Sequence, residues 1–62
     1  MDISFNIDFD ADEVHGVIDN SLCFTVIRDD DAFVYKNFDR IDDDFQDKIK
    51  GVCRILLTLE DI

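Results

Sequence analysis

Apolar residues repeat at two different periods along this chain, and that change of period limits the fold more tightly than any other feature. Residues 38–59, wound at the helical period, place Phe38, Ile41, Phe45, Ile49, Val52, Cys53, Ile55, Leu56, Leu57 and Leu59 on one continuous arc. Asp43, Asp47, Lys50, Arg54 and Thr58 fall on the other side. Only Lys48 intrudes on the apolar arc, and its long stem can lie along that surface with the ammonium in water. The pattern predicts a helix over 40–59. Asp39 is its expected N-cap, and Asp42, Asp43 and Asp44 fill the first turns, where carboxylates suit the positive end of the dipole. Gly51 is the weak point, costing about 1 kcal/mol against alanine.

The opposite end of the chain runs at period two. Ile3, Phe5, Ile7 and Phe9 face one way and Asp2, Ser4, Asn6 and Asp8 the other, which predicts a half-buried strand over 2–9. Its polar face suits an antiparallel or mixed sheet open to water on that side. Asp10 followed by Glu13 reads as a capping box, and Val14, Val17, Ile18 and Leu22 follow at helical spacing, so a short helix is expected over 11–20. His15 and Gly16 weaken it, and so few turns need packing on the sheet to stand. Residues 22–28 and 32–37 are rich in β-branched and aromatic side chains and flank Asp29-Asp30-Asp31, the pattern of a hairpin. A two-residue turn groups Leu22, Phe24, Val26, Phe33 and Tyr35 on one face, with Cys23, Thr25, Ile27, Val34 and Lys36 on the other. A three-residue turn instead groups Val34 and Phe38 with Leu22, Phe24 and Val26. The first gives the more amphipathic sheet and is preferred.

The expected fold is α+β: a three-stranded, mostly antiparallel sheet with one short helix and one long C-terminal helix, in the order β-α-β-β-α, forming a single domain over 1–62. The apolar arc of the long helix is wider than the stripe of about 100° that one sheet face needs. The surplus, among Cys53, Ile55 and Leu57, is expected to meet the short helix or a second copy, and a homodimer is the preferred outcome.

At 62 residues the chain has a small core to work with, and domains of this size bury only about 60% of their unfolded surface. The hydrophobic share of 47%, with six Phe, still separates it from a disordered acidic tail, which would lack those aromatics. The net charge of −10 comes from 16 acidic residues against 6 Lys and Arg. Such a surface repels a nucleic-acid backbone or an anionic membrane, and a basic protein is its natural complement. No basic residue falls among the first fifteen and no apolar run is long enough to span a bilayer, so a cytoplasmic protein is expected. Cys23 and Cys53 are expected to be two buried free thiols, one on a strand and one on a helix; with a single His they fall short of a zinc set.

Asp8-x-Asp10-x-Asp12 is the most site-like pattern. Alternating carboxylates open a calcium loop, but the sixth position of that loop is here Glu13 rather than Gly, and the twelfth is Asp19 rather than a bidentate Glu. A strand ending in Asp-x-Asp also resembles the phosphotransfer aspartates of the haloacid-dehalogenase enzymes, whose fold needs a far longer chain. Strand-face solvation plus a helix cap is the expected role of these aspartates. His15 has the intrinsic acidity of a proton shuttle but no Ser or Cys placed with it in a recognisable motif. No catalytic residue, metal ligand set or cofactor motif is assigned, and an enzyme is the least expected class.

The acidic clusters carry the functional expectation. Asp29, Asp30 and Asp31 sit on a hairpin tip, Asp39, Asp43 and Asp47 recur every four residues, and Asp8, Asp10 and Asp12 follow the first strand. Innocent pairings are expected for part of them: Asp44 with Lys48, and Asp47 with Lys50. Together the nine aspartates are the expected partner-binding residues of an acidic inhibitor whose carboxylates substitute for nucleic-acid phosphates in a basic groove. In size and charge the chain resembles the small acidic proteins that phages and plasmids use against restriction or CRISPR nucleases. The alternative is an antitoxin, immunity-type or adaptor protein that binds a basic partner without DNA mimicry.

Overall fold

A computed structural model describes residues 1–59. Four antiparallel strands follow one another along the chain and lie side by side in the same order: β1 (Ile3–Asp8), β2 (Glu13–Ile18), β3 (Leu22–Asp29) and β4 (Ala32–Lys36). One helix, α1 (Asp43–Leu57), closes one face of this meander. The fold is thus a four-stranded antiparallel sheet with one helix, ordered β-β-β-β-α. The three-stranded sheet with two helices expected from sequence is wrong, and the error lies entirely in residues 11–20.

That segment is β2, and its own side chains explain why. Val14, Gly16 and Ile18 point inward and are buried, while Glu13, His15 and Val17 point outward. Gly16 hides the alternation because its inward position is filled from across the ladder. It pairs with Phe24, and a Cβ on Gly16 would lie 2.0 Å from the Phe24 ring. Two Val, one Ile and a Gly are also poor material for so short a helix. The supposed capping box is a turn. The Asp8 carboxylate accepts the backbone N–H groups of Asp10 at 3.1 Å and Ala11 at 3.2 Å, an Asx turn that begins a four-residue loop. Asp12 ends the loop in the left-handed region at φ 53°, which aspartate tolerates better than most residues.

The other two turns follow the same chemistry. Asp19 and Asn20 have φ of 51° and 59°, the signature of a type I′ turn, and the Ser21 N–H donates to the Ile18 carbonyl at 3.1 Å. Asp30, at φ 55°, begins the two-residue link that pairs Asp29 with Ala32. Val26 therefore faces Tyr35, and the register is the preferred one, with Phe24, Val26, Phe33 and Tyr35 on the helix side.

Val14, Phe24 and Val26 form the floor of the core, and Ile49, Cys53 and Leu57 of α1 cover it. Phe38 and Ile41, in the link before the helix, plug one end. Gln46 holds that link in place: its side-chain amide donates to the Phe38 carbonyl at 2.7 Å and to the Ile41 carbonyl at 2.8 Å. Rings of Phe5, Phe24, Phe38 and Tyr35 run edge to face through the interior, with centroids 6.1, 5.2 and 5.5 Å apart. The long helix is present as expected but starts later. Asp42, not Asp39, is the N-cap residue, and it caps with its carbonyl alone. Cys53 is a buried thiol on the helix as expected, whereas Cys23 lies exposed on the outer face of β3. No helix among the described residues is long and apolar enough to cross a membrane.

Candidate protein-binding surface

In a meander of four strands, the first and third turns close the same end of the sheet. That connectivity gathers two aspartate clusters well apart in sequence, Asp8, Asp10 and Asp12 with Asp29, Asp30 and Asp31. The Arg28 N–H donates to the Asp12 carbonyl at 2.9 Å and ties the two turns together. The helix runs back up the sheet so that its C-terminus reaches this same end, where Arg28 Nη1 donates to the Leu57 carbonyl at 3.3 Å. The negative end of the helix dipole thus adds to the six carboxylates. Asp39 and Asp43 sit at the opposite end, beside Asp2, Asp19, Asp42 and Asp44. Asp47 lies one turn into the helix. The nine aspartates expected to bind a partner are therefore divided, six at the loop end and three at or near the helix start. The molecule measures 29 × 19 × 17 Å, so these ends are two acidic poles of a short rod.

What the few cations do sets the charge of those poles. Lys50 lies over the Tyr35 ring, 4.7 Å from its centroid, and 5.6 Å from that of Phe38. Lys48 lies over Phe45 at 5.9 Å, and Arg54 donates to the Tyr35 hydroxyl at 2.9 Å. The expected pairs of Asp44 with Lys48 and Asp47 with Lys50 do not form; aromatic faces hold these ammonium groups instead. Between described residues the one side-chain contact at ion-pair distance is that of His15 Nε2 with Glu13 Oε1, at 3.9 Å. Sequence reasoning missed this competition, although aromatic residues within reach of Lys50 were its available signal.

His15 sits on strand β2, not on a helix. Its Nδ1 lies 3.3 Å from the Thr25 hydroxyl and its Nε2 faces Glu13. Hydroxyl, imidazole and carboxylate stand in a row, but all three lie on the open outer face of the sheet beside a shallow depression lined by Asn6, Asp8 and Asp10. Among the described residues no three His, Cys, Asp or Glu side chains converge to hold a metal ion. Asp8, Asp10 and Asp12 belong to a hairpin turn whose carboxylate is already engaged by backbone N–H groups.

Two surfaces remain. One is the acidic loop end. The other is an apolar flank of α1 that the sheet leaves uncovered, carrying Phe45, Val52 and Ile55, with Leu59 exposed just past the helix C-cap. The surplus apolar arc expected from sequence is real, but its members differ: Cys53 and Leu57 are buried against the sheet. Comparison of the chain with known protein families, with curated proteins and with solved structures finds no match.

Proposed function

We propose that this protein is an acidic protein-binding inhibitor that presents its loop end to the basic groove of a nucleic-acid-binding protein, its carboxylates occupying positions that phosphates would take. The observation that supports this reading is the assembly of Asp8, Asp10, Asp12, Asp29, Asp30 and Asp31 at one pole, where six carboxylates stand around the Arg28 guanidinium, which donates to the Asp30 and Leu57 carbonyls. Phosphate-binding grooves present Lys and Arg to a linear array of negative charge, and a narrow rod with an acidic tip suits insertion there. The phage or plasmid type of inhibitor, acting on a restriction or CRISPR nuclease, is the form of this proposal that fits its size and charge. Free thiols at Cys23 and Cys53 suit a reducing cytoplasm. An enzymatic role is no part of the proposal.

The test is competition. A partner captured from lysate of the source cells is expected to release this protein when duplex or guide-bound nucleic acid is added. Replacing Asp29, Asp30 and Asp31 together with Asn is expected to slow association by about tenfold at low salt, within the range electrostatic steering covers. Undiminished binding of this protein and nucleic acid at the same time would rule out mimicry. The exposed apolar flank of α1 favours a second reading in that case: an antitoxin, immunity-type or adaptor protein that grips its basic partner by shape as well as charge.

A further inference from the structure

Strand β1 is an open edge of the sheet: among the described residues only β2 pairs with it. In an antiparallel ladder, alternate residues turn their backbone N–H and C=O to the same neighbour. The Asp19 N–H donates to the Asp2 carbonyl at 2.7 Å, one step before the Ile3–Ile18 pair, so Asp2, Ser4, Asn6 and Asp8 turn theirs to β2. Ile3, Phe5 and Ile7 therefore turn theirs to the open edge. Proteins commonly block such an edge with lysine, proline, a bulge or a very short strand. The other edge strand, β4, is five residues long, ends in Lys36 and has Lys50 and Arg54 drawn over Tyr35. Strand β1 has six residues and no Lys, Arg or Pro, and its register with β2 runs unbroken. Its three edge-facing residues are apolar and point to the helix side, where Phe5 is 37% exposed.

We infer that this edge binds the β1 edge of a second copy, antiparallel about a two-fold axis at Phe5, so that two sheets join into one of eight strands. The strand itself specifies the occupant. Ile3-Ser4-Phe5-Asn6-Ile7 has the same order of apolar and polar residues in both directions. Paired on itself about Phe5, it sets Ile3 against the partner's Ile7, Phe5 against the partner's Phe5, and Ser4 against the partner's Asn6. Each is a favourable cross-strand pair. In this register the free backbone groups of Ile3, Phe5 and Ile7 meet free groups of the partner strand, and each of these pairs exchanges both of its hydrogen bonds. A slip of one residue sets free groups against engaged ones, and a slip of two keeps fewer of the apolar pairs within β1. Charge opposes the contact. Asp2 stands against the partner's Asp8, and each end of the dimer sets a loop-end pole beside a helix-start pole. Screening by salt therefore strengthens the pairing.

Sedimentation of the full chain, from micromolar to millimolar concentration, is the test. A monomer–dimer equilibrium is expected in 0.5 M sodium chloride, about tenfold weaker at 0.05 M. Amide exchange at Ile3, Phe5 and Ile7 should slow at least tenfold as the protein is concentrated, while exchange along β4 stays constant. A chain of this length can be made by chemical synthesis with a methyl group on the Phe5 amide nitrogen. That group removes a donor the monomer does not use and stands in the partner's path, so the chain should fold like wild type by circular dichroism and remain a monomer. Asp2→Asn with Asp8→Asn keeps an oxygen acceptor for the turn after β1 and relieves the facing carboxylates, so it should tighten the dimer at least tenfold at low salt. A monomer at every concentration and salt overturns the inference. A dimer that survives the methyl group overturns it too, by placing the contact elsewhere, such as the uncovered flank of α1. A dimer that the two Asn changes leave no tighter rules out pairing about Phe5.

Discussion

Gly16 shows how one missing side chain can organise a small core. The Phe24 ring occupies the space where a Cβ would be, and its edge-to-face contacts with Phe5 and Phe38 depend on that close approach. Gly16→Ala is expected to destabilise the fold by about 1–3 kcal/mol through overpacking, a large share of the few kcal/mol that a domain of this size holds. Because the clash is specific to the ring, Gly16→Ala with Phe24→Leu should lose less than the sum of the two single changes, as read by urea denaturation. The two cysteines make a second contrast at this scale. Cys53 is fully buried and its thiol is pushed up from 9.0 to about 11 by burial, with Arg54 opposing the shift. Cys23 is exposed on the outer sheet face. At pH 8 the native protein should therefore take up one equivalent of a thiol reagent, and the second only on unfolding. The raised Cys53 pKa means that the unfolded chain gives up this proton first. Its contribution to stability is complete below pH 9 and is lost as pH rises from 9 to about 11. Cys53→Ala should remove that alkaline slope, at the cost of a small cavity.

Elements were legible from sequence where period and turn chemistry agreed, and illegible where a single residue masked the period. Strand β1, the hairpin of β3 and β4 and most of α1 follow directly from alternation and helical spacing. The hairpin register was legible only as a preference for a two-residue over a three-residue turn, because no Asn-Gly or Asp-Gly fixes it. The two-residue form is the one observed. Strand β2 was lost because its central inward position is Gly16, whose apolar filling comes from Phe24 on the next strand, a contact no local pattern records. The same blindness moved the helix start. Asp39 looks like a cap, but Phe38 and Ile41 are drawn into the core and Gln46 pins their carbonyls, so winding begins after Asp42. The acidic candidates were legible as residues; their division into two poles was not, because it depends on which turns share an end of the sheet. Two substitutions test the elements themselves. Gly51→Ala meets nothing closer than an Arg54 nitrogen at 3.9 Å and should stabilise the fold by about 1 kcal/mol through helix propensity. Asn20→Gly, at φ 59° in the β2–β3 turn, gives that position its preferred residue and should be neutral to mildly stabilising. Thermal denaturation compares both with wild type. A destabilised Gly51→Ala would mean that α1 packs something against Gly51.

At the scale of the whole molecule, the distribution of charge makes an unusual demand on stability. Between described residues only His15 and Glu13 come within ion-pair distance through their side chains, while Lys48, Lys50 and Arg54 are held by aromatic groups rather than by carboxylates. At the loop end the Arg28 guanidinium, on the Asp30 and Leu57 carbonyls, stands among six carboxylates, so like-charge pairs outnumber unlike ones and net repulsion remains. Two unit charges about 8 Å apart in water repel by about 0.5 kcal/mol, and several such pairs at each end can oppose folding by about 1–2 kcal/mol at low ionic strength. Salt screens this term strongly, with a Debye length falling from about 30 Å at 0.01 M to about 3 Å at 1 M. Core packing is not weakened by such screening. Raising sodium chloride from 0.01 to 0.5 M should accordingly raise the melting temperature, by about 4–8 °C for each kcal/mol of repulsion relieved in a domain of this size. Replacing Asp29, Asp30 and Asp31 with Asn should raise the melting temperature at low salt and flatten its salt dependence, because it removes half of the loop-end carboxylates. A melting temperature that falls with salt would mean that attractive pairs outweigh the repulsion between like charges. If the dependence is present but the triple Asn variant leaves it unchanged, the dominant repulsion lies at the helix start, among Asp39, Asp42, Asp43 and Asp44. The loop end would then be the less strained pole, and its carboxylates would have less to gain from a basic partner than the proposed function requires.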